Sequence, residues 1–222
     1  MKHLYRVILI ILSGFFIVCA KTQPLPPFSG DIRNFKKRDS INPPPRQAIL
    51  FIGSSSFTKW MDVQEYFPGI PIINRGFGGS SLPDLIRYAG DIIFPYDPKQ
   101  IIIYCGDNDF AASDTVTAEL VIGRVKKLFR LIRQKLPQVN IAYISIKPSP
   151  SRARFMGEAD KANDAIKSFL ATEKNAEFID VFHPMLGGDG KPIASIFLSD
   201  SLHMNQKGYA IWKKAIDPYL MK

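Results

Sequence analysis

Two histidines in this chain stand three residues after an aspartate, in Asp180-Val-Phe-His183 and Asp200-Ser-Leu-His203. A carboxylate that holds an imidazole can make it a base able to take a proton from a hydroxyl. Hydroxyls are at hand in Gly53-Ser54-Ser55-Ser56, which follow a short apolar run. Two further apolar runs end in polar clusters, Asn74-Arg75-Gly76-Phe77-Gly78-Gly79-Ser80 and Gly106-Asp107-Asn108-Asp109. Singly, each has an ordinary explanation, because serine caps helices, glycine permits tight turns, and Asn or Asp favours turns. Together they put nucleophilic, amide and acid–base groups at the ends of several strands.

Histidine is scarce enough to narrow the choice of base: of three in the chain, His3 lies in an apolar leader. Asp200 and His203 fall in a loop that enters the last helical segment, where an imidazole is free to point across the top of a sheet. Asp180 instead closes an apolar strand and His183 runs into Pro184, so that pair reads as a satisfied surface or core histidine. The Gly-x-Ser-x-Gly elbow is excluded, since Phe57 occupies its second glycine position, and an Asp and His only three apart argue against an α/β-hydrolase. No His-x-x-x-His or paired-cysteine spacing exists for a metal, and no cofactor is expected.

The elements that must hold these residues alternate in type. Residues 48–52, 70–74, 100–104, 140–146 and 177–181 are apolar and β-branched and predict strands; 83–90, 113–136, 158–174 and 205–220 carry helical periodicity. Strands apolar at successive positions are buried on both faces, so the pattern predicts a three-layer α/β/α sandwich around a parallel sheet. Ligand sites of such sheets lie beyond the carboxyl ends of the strands, where the polar clusters fall. Residues 21–47 are proline-rich, with Ile32 and Phe35 at helical spacing after Asp31. That spacing predicts a short helix docked on the domain, with Lys36, Lys37 and Arg38 as its solvated face.

The 222 residues, 46% hydrophobic and 22% charged, suit one globular domain over residues 48–222. Residues 1–20 place Lys2 and Arg6 before a 14-residue apolar run and read as an export signal, too short for an ordinary spanning helix. Val18 and Ala20 suit cleavage before Lys21, Cys19 permits lipidation although Val18 precedes it, and an uncleaved anchor, and so a membrane tether, is the third reading. A periplasmic, secreted or envelope location follows. Cleavage would leave Cys105, expected to be a small buried side chain, without a disulfide partner. The formal charge of +9 comes without a nucleic-acid motif or aromatic interleaving, so no nucleic-acid partner is expected.

The same residues resemble the SGNH hydrolases, or GDSL-type esterases and lipases, over nearly the whole of residues 49–212. Gly53-Ser54-Ser55 matches the first block, Gly79 in NRGFGGSS the second, Gly106-Asp107-Asn108-Asp109 the third, and DSLHMNQKGYAIW, with Asp200 and His203, the last. Ser54 stands where that family usually has aspartate, a departure that bears on turn geometry more than on chemistry. A branch with Gly-Ser-Ser-Ser in this block is similar also in YCGDNDF, SIKPSP and Trp60. The resemblance implies a flavodoxin-like fold and an acyl-enzyme formed on Ser55, with His203 as base and Asp200 as its orienter. The backbone N–H groups of Ser55 and Gly79 and the amide of Asn108 would form the oxyanion hole. Ser54 would bond within the turn and Ser56 support the following helix; Arg75, Asp107 and Trp212 would be structural, and Trp60 a packing residue close enough to border a pocket. The expected substrate is a small acyl ester, most plausibly acetyl on carbohydrate, because no long apolar lid is evident. The alternatives are a lysophospholipase or lipid acetylhydrolase, and a non-catalytic envelope glycan-binding module. Oligomeric state is left open by the sequence.

Overall fold

The computed structural model describes residues 25–222. The expected export signal and its cleavage or lipidation site lie outside the described residues. Strands β1 (Ile49–Gly53), β2 (Ile72–Gly76), β3 (Gln100–Tyr104), β4 (Asn140–Ile144) and β5 (Ala176–Ile179) form one parallel sheet in the order β2-β1-β3-β4-β5. Parallel neighbours require crossover connections, and these place helices on both faces. One face packs against α1 (Ser29–Ile41), α4 (Leu82–Ile92), α6 (Ala118–Lys135) and α7 (Met156–Leu170). The other packs against α2 (Ser55–Thr58), α3 (Val63–Tyr66) and α8 (Gln206–Ile216). A short helix, α5 (Asp107–Ala112), follows β3. Among the described residues no helix is long and apolar enough to cross a membrane.

The alternation of the strands produces the two cores. Leu50, Ile52, Ile101, Ile103, Ile141 and Tyr143 point to the α4–α6–α7 side, and Ile49, Phe51, Ile102, Tyr104, Ala142 and Ile144 to the α8 side. The expected three-layer architecture and all five expected strands are present, with local shifts. Residues 70–74 were expected as a strand, but β2 runs two residues later because the Gln64 side-chain amide donates to the carbonyls of Phe67 (3.2 Å) and Ile70 (2.9 Å), holding them in a turn. The helix expected over 113–136 starts at Ala118, where the Thr117 hydroxyl accepts from the Leu120 N–H. Strand β4 ends at Ile144 rather than Ile146, and the chain continues as a buried loop, 145–149, whose Ile146 N–H and C=O are both bonded by the Asn163 side chain at 2.8 and 3.0 Å.

The N-terminal helix is part of the core. Ile32 and Phe35 are buried in it, as expected from their spacing, while Lys36 on the exposed face pairs with Asp91 at 2.6 Å. Arg75, at the end of β2, is clasped by Asp39 of this helix and by the Tyr96 hydroxyl, and lies against the rings of Phe35 and Tyr96. The Tyr96 hydroxyl donates to Asp39 at 2.6 Å, and burial pushes this phenol up to about 12. Arg75 thus has the structural role expected of it: it fastens the segment before the sheet to the strand that leads into the Gly76–Ser80 turn.

Candidate active site

Ser55 is the first residue of α2, at the point where β1 leaves the sheet. The turn is tied down by its backbone: the Ser54 N–H donates to Tyr104 O at 3.1 Å, and Ser54 O accepts from the N–H groups of Phe57 and Thr58. The Ser54 side chain does not cap the helix, so the bonding expected of its hydroxyl is done by its carbonyl. Ser56 is buried and its carbonyl accepts the Tyr209 hydroxyl of α8 at 2.8 Å, so support for the nucleophile's helix comes from α8. Ser55 alone of the three serines is partly exposed. Trp60 is wholly buried beneath this helix and lines no cleft there; it packs on Tyr209, with ring centroids 4.8 Å apart.

The Gly76–Ser80 turn comes up beside Ser55. Phe77 N–H donates to Gly53 O at 2.9 Å, and the buried Ser80 hydroxyl donates to the same carbonyl at 3.2 Å. A Cβ placed on Gly78 would be 4.0 Å from Ser55 Cβ, so this turn lies next to the serine side chain. Gly79 has φ +84°, a conformation that favours glycine, whereas a Cβ there would meet nothing closer than Phe28 Cε1 at 3.8 Å. The glycine is therefore required by backbone conformation rather than by lack of room for a side chain. Asn108, in the first turn of α5, donates from Nδ2 to Ser80 O at 2.9 Å, which ties this amide to the same turn. Gly106 lets α5 begin so close to the sheet: at φ +120°, its Cβ would lie 2.6 Å from Ile146 Cδ1. Among the described residues, the backbone N–H groups of Ser55 and Gly79 donate to no protein acceptor. The turn after β1 and the turn after β2 thus lie side by side, each with one N–H group that has no protein acceptor, and α5 is tied to the second of them through the Asn108 amide.

His203 lies in the loop before α8, and its Nδ1 is 2.6 Å from Asp200 Oδ2. Asp200 Oδ1 accepts the backbone N–H groups of Leu202 (3.0 Å) and His203 (2.9 Å). The His203 ring contact and these two N–H donors hold the Asp200 carboxyl well below the usual carboxylate range. A carboxylate so held accepts a hydrogen bond from the Nδ1–H, which keeps the proton on Nδ1 and leaves Nε2 as the basic nitrogen. Asn205, which caps α8 by accepting from Lys207 N–H at 2.9 Å, anchors the loop by donating to Ser195 O at 2.9 Å. Ser55 Oγ and His203 Nε2 are not hydrogen-bonded to each other; catalytic contacts of this type are often long in unliganded enzymes and tighten around substrate.

The second dyad has nearly the same local geometry. His183 Nδ1 is 2.7 Å from Asp180 Oδ2, and Asp180 Oδ1 accepts the Phe182 and His183 N–H groups. Surroundings distinguish the two. The His183 side chain is 68% exposed, against 17% for His203. Of the two, His203 precedes the helix whose Tyr209 and Trp212 pack against the Ser55 helix.

Two charge clusters flank Asn108, one built on Asp109 and the other on Asp107. Asp109 is fully buried, accepting from Leu82 N–H at 2.9 Å and from Arg124 at 2.7 Å; burial nevertheless raises its pKa. Asp109→Ala is expected to lower unfolding stability by about 3–5 kcal/mol in a urea titration, because it strands Arg124 and an N–H of α4. Asp107 is structural, as expected, and lies within 3.5 Å of Lys147 and 3.6 Å of Arg152. Lys147 is in the buried loop after β4, in the stretch SIKPSP, and no periodicity marks it as a charged core residue. Cys105, at the end of β3, is buried as expected, and burial raises its thiol.

A parallel sheet covered by helices on both faces, with a serine turn after its first strand and an Asp-x-x-His loop before its last helix, defines the class of carboxyl ester hydrolases that lack a Gly-x-Ser-x-Gly elbow. The chain belongs to the GDSL-like Lipase/Acylhydrolase family, whose family model matches residues 53–211. It is 24% identical over 179 residues to the human platelet-activating factor acetylhydrolase IB subunit alpha1, covering 78% of this chain and 75% of that protein. Its fold is similar to that of a GDSL-like lipase from Bacteroides thetaiotaomicron, with TM-score 0.71, 17% identity, and coverage of 85% of this chain and 96% of the other. It is also similar to an acetylxylan esterase from Geobacillus stearothermophilus, with TM-score 0.62, 16% identity, and coverage of 78% and 93%. The protein is thus a GDSL-type acylhydrolase, as the sequence resemblance implied.

Proposed function

We propose that the protein hydrolyses small acyl esters, acetyl above all, through an acyl-enzyme on Ser55. Ser55 Oγ attacks the ester carbonyl as His203 Nε2 takes its proton, and Asp200 stabilises the imidazolium. The carbonyl oxygen, now an oxyanion, accepts from the N–H groups of Ser55 and Gly79 and from Asn108 Nδ2. Collapse expels the alcohol, protonated by His203. Water, deprotonated by His203, then attacks the acyl-enzyme, releasing the acid and restoring Ser55.

What supports this reading is a partly exposed serine against a turn that is itself bonded to the Asn108 amide, with undonated N–H groups at Ser55 and Gly79, in a fold that also holds a carboxylate-bound imidazole. Two similar proteins support acetyl as the acyl group, since their names specify an acetylhydrolase and an acetylxylan esterase. Among the described residues, exposed large apolar side chains are scattered at Leu25, Ile41, Met61, Leu120, Leu198, Tyr219 and Met221, with no run of them to form a lid for long chains. A carbohydrate alcohol is our preferred leaving group, and a lipid ester, suggested by the platelet-activating factor relative, is the second reading. Export through residues 1–20 belongs to the same proposal, as does a hydrolase domain spanning residues 48–222.

Turnover of p-nitrophenyl esters from acetate to palmitate tests the acyl preference. The expected result is a maximum at acetate; a steady rise toward long chains overturns it. Asn108→Ala is expected to lower kcat on acetate by on the order of 10²–10³-fold with little change in KM, because its amide serves the oxyanion more than the bound ester.

A further inference from the structure

Gly78 is exposed, and a Cβ there would lie 4.0 Å from Ser55 Cβ and 4.0 Å from Thr58 Oγ1, with nothing closer. Its φ is outside the left-handed region, so backbone conformation does not demand glycine here as it does at Gly79. The missing side chain leaves an opening between the serine and Thr58, which is one turn further along α2. Thr58 is also a wall of a groove of about 690 Å³, which it lines together with Met61. Asp31, Asn34, Lys37 and Arg38 of α1 line the groove from the other side. It therefore runs from the nucleophile's helix to a helix that precedes the residues matched by the family model. Phe28, just before α1, stands beside Gly79: its Cε1 would be 3.8 Å from a Cβ there, and its ring meets Phe77 edge-on at 5.3 Å. The Tyr88 hydroxyl donates to Pro27 O at 2.6 Å and fixes this entry to α1.

We infer that this groove is the seat of the ester's alcohol half, a saccharide, and that the bare backbone at Gly78 admits it to Ser55. This rests on the reading of Ser55 as the nucleophile of an ester hydrolase. Among the described residues, the side chains of Asp31, Asn34 and Lys37 have no hydrogen-bond or ion-pair partner, and Arg38 lies only against the Phe35 ring, at 5.2 Å. Elsewhere on the same helix Lys36 and Asp39 are engaged, by Asp91 and Arg75. The groove thus offers a carboxylate that accepts, an amide that donates and accepts, and two cations that donate. Sugar hydroxyls also donate and accept, and can pair with all of them. An alkyl chain in the same groove would take these charges out of water with no hydrogen bond in its place. Met61, 89% exposed on the facing wall, supplies an apolar contact for the C–H face of a sugar ring. Gly78 is on this account a specificity-determining residue, since any side chain there would stand between the groove and the serine.

The test begins with calorimetric titration of an acetylated xylo-oligosaccharide into Ser55→Ala, which cannot turn it over. Adding Asn34→Ala and Lys37→Ala to that variant removes two exposed side chains of the groove and is expected to weaken binding by about tenfold or more. In the protein with Ser55 intact, kcat/KM for this saccharide is compared with kcat/KM for ethyl acetate, whose alcohol is small. The ratio of the two is expected to fall by about tenfold or more in Gly78→Val and in the Asn34→Ala, Lys37→Ala protein. Absence of saccharide binding to Ser55→Ala overturns the proposal, as does an affinity that the two α1 substitutions leave unmoved, or a ratio unmoved in folded Gly78→Val. An acetylated glycerophospholipid weakened by the α1 substitutions in place of the saccharide also overturns it, and gives the groove to a lipid headgroup. Should Gly78→Val fail to fold, the α1 substitutions decide alone. If the wild-type protein hydrolyses neither ester, the hydrolytic reading fails, while the calorimetry, which needs no turnover, still decides what the groove binds.

Discussion

Ser55→Ala is expected to lower kcat on p-nitrophenyl acetate by on the order of 10⁴–10⁶-fold while leaving unfolding stability within about 0.5 kcal/mol. The asymmetry follows from the local structure. The Ser55 hydroxyl bonds to nothing in the turn, and the bonds that hold the turn are made by the backbone of Ser54 and by Ser80. Its removal takes away the proposed nucleophile and disturbs no packing. The same substitution at Ser56 is the contrasting control. Ser56 is buried and held to α8 through its carbonyl, a bond that alanine retains, so activity should fall by less than tenfold. Rapid labelling of the wild-type protein by a fluorophosphonate, absent from Ser55→Ala, checks the assignment by intact mass; equal labelling of both proteins would move the nucleophile elsewhere.

The second large effect separates the two dyads. His203→Ala is expected to cost on the order of 10⁴–10⁶-fold in kcat, and His183→Ala less than twofold. Their nearly matching distances of 2.6 and 2.7 Å to the partner carboxylate show that the Asp-x-x-His turn builds itself from local hydrogen bonds wherever it occurs. Local geometry therefore does not assign function, and position does. Asp200 sets no acid limb of the activity, because its carboxyl is held so far below the usual carboxylate range that it stays ionised throughout the range in which esterases are assayed. In the folding equilibrium the sign follows from the same shift: stability from the Asp200 bonds is present above the ordinary aspartate range and is lost as pH falls through the lowered folded value. Comparable losses in the two histidine variants would show that the second dyad also serves the reaction.

The sheet was legible because its strands are buried on both faces, which leaves continuous apolar runs such as QAILFI and QIIIY. The serine turn, the Gly79 turn, Asn108 and the Asp200–His203 loop were legible because each interrupts such a run with residues of special chemistry. Boundaries were less so. The start of β2 is decided by Gln64 reaching from α3 to two carbonyls, and the start of α6 by Thr117, both tertiary or capping choices that hydrophobic periodicity does not record. Helix α5 was missed because GDND reads as a turn, and only Gly106 beneath Ile146 allows it to wind close to the sheet. The charge cluster of Asp107, Lys147 and Arg152 is assembled from segments 40 residues apart in sequence, so no local pattern announces it.

Both tryptophans of the chain stand in the aromatic packing beneath the Ser55 helix, their ring centroids 6.2 Å apart, with Trp60 stacked on Tyr209 and the Trp212 Nε1–H directed at the Met185 sulfur at 3.3 Å. The intrinsic fluorescence of this protein therefore arises from one place, the seam between α2 and α8. Emission from two wholly buried indoles is blue-shifted, and it reddens when that seam opens. The chain carries its own optical reporter for the helix that presents the nucleophile, and a change in emission on acylation would be read from there without any introduced label.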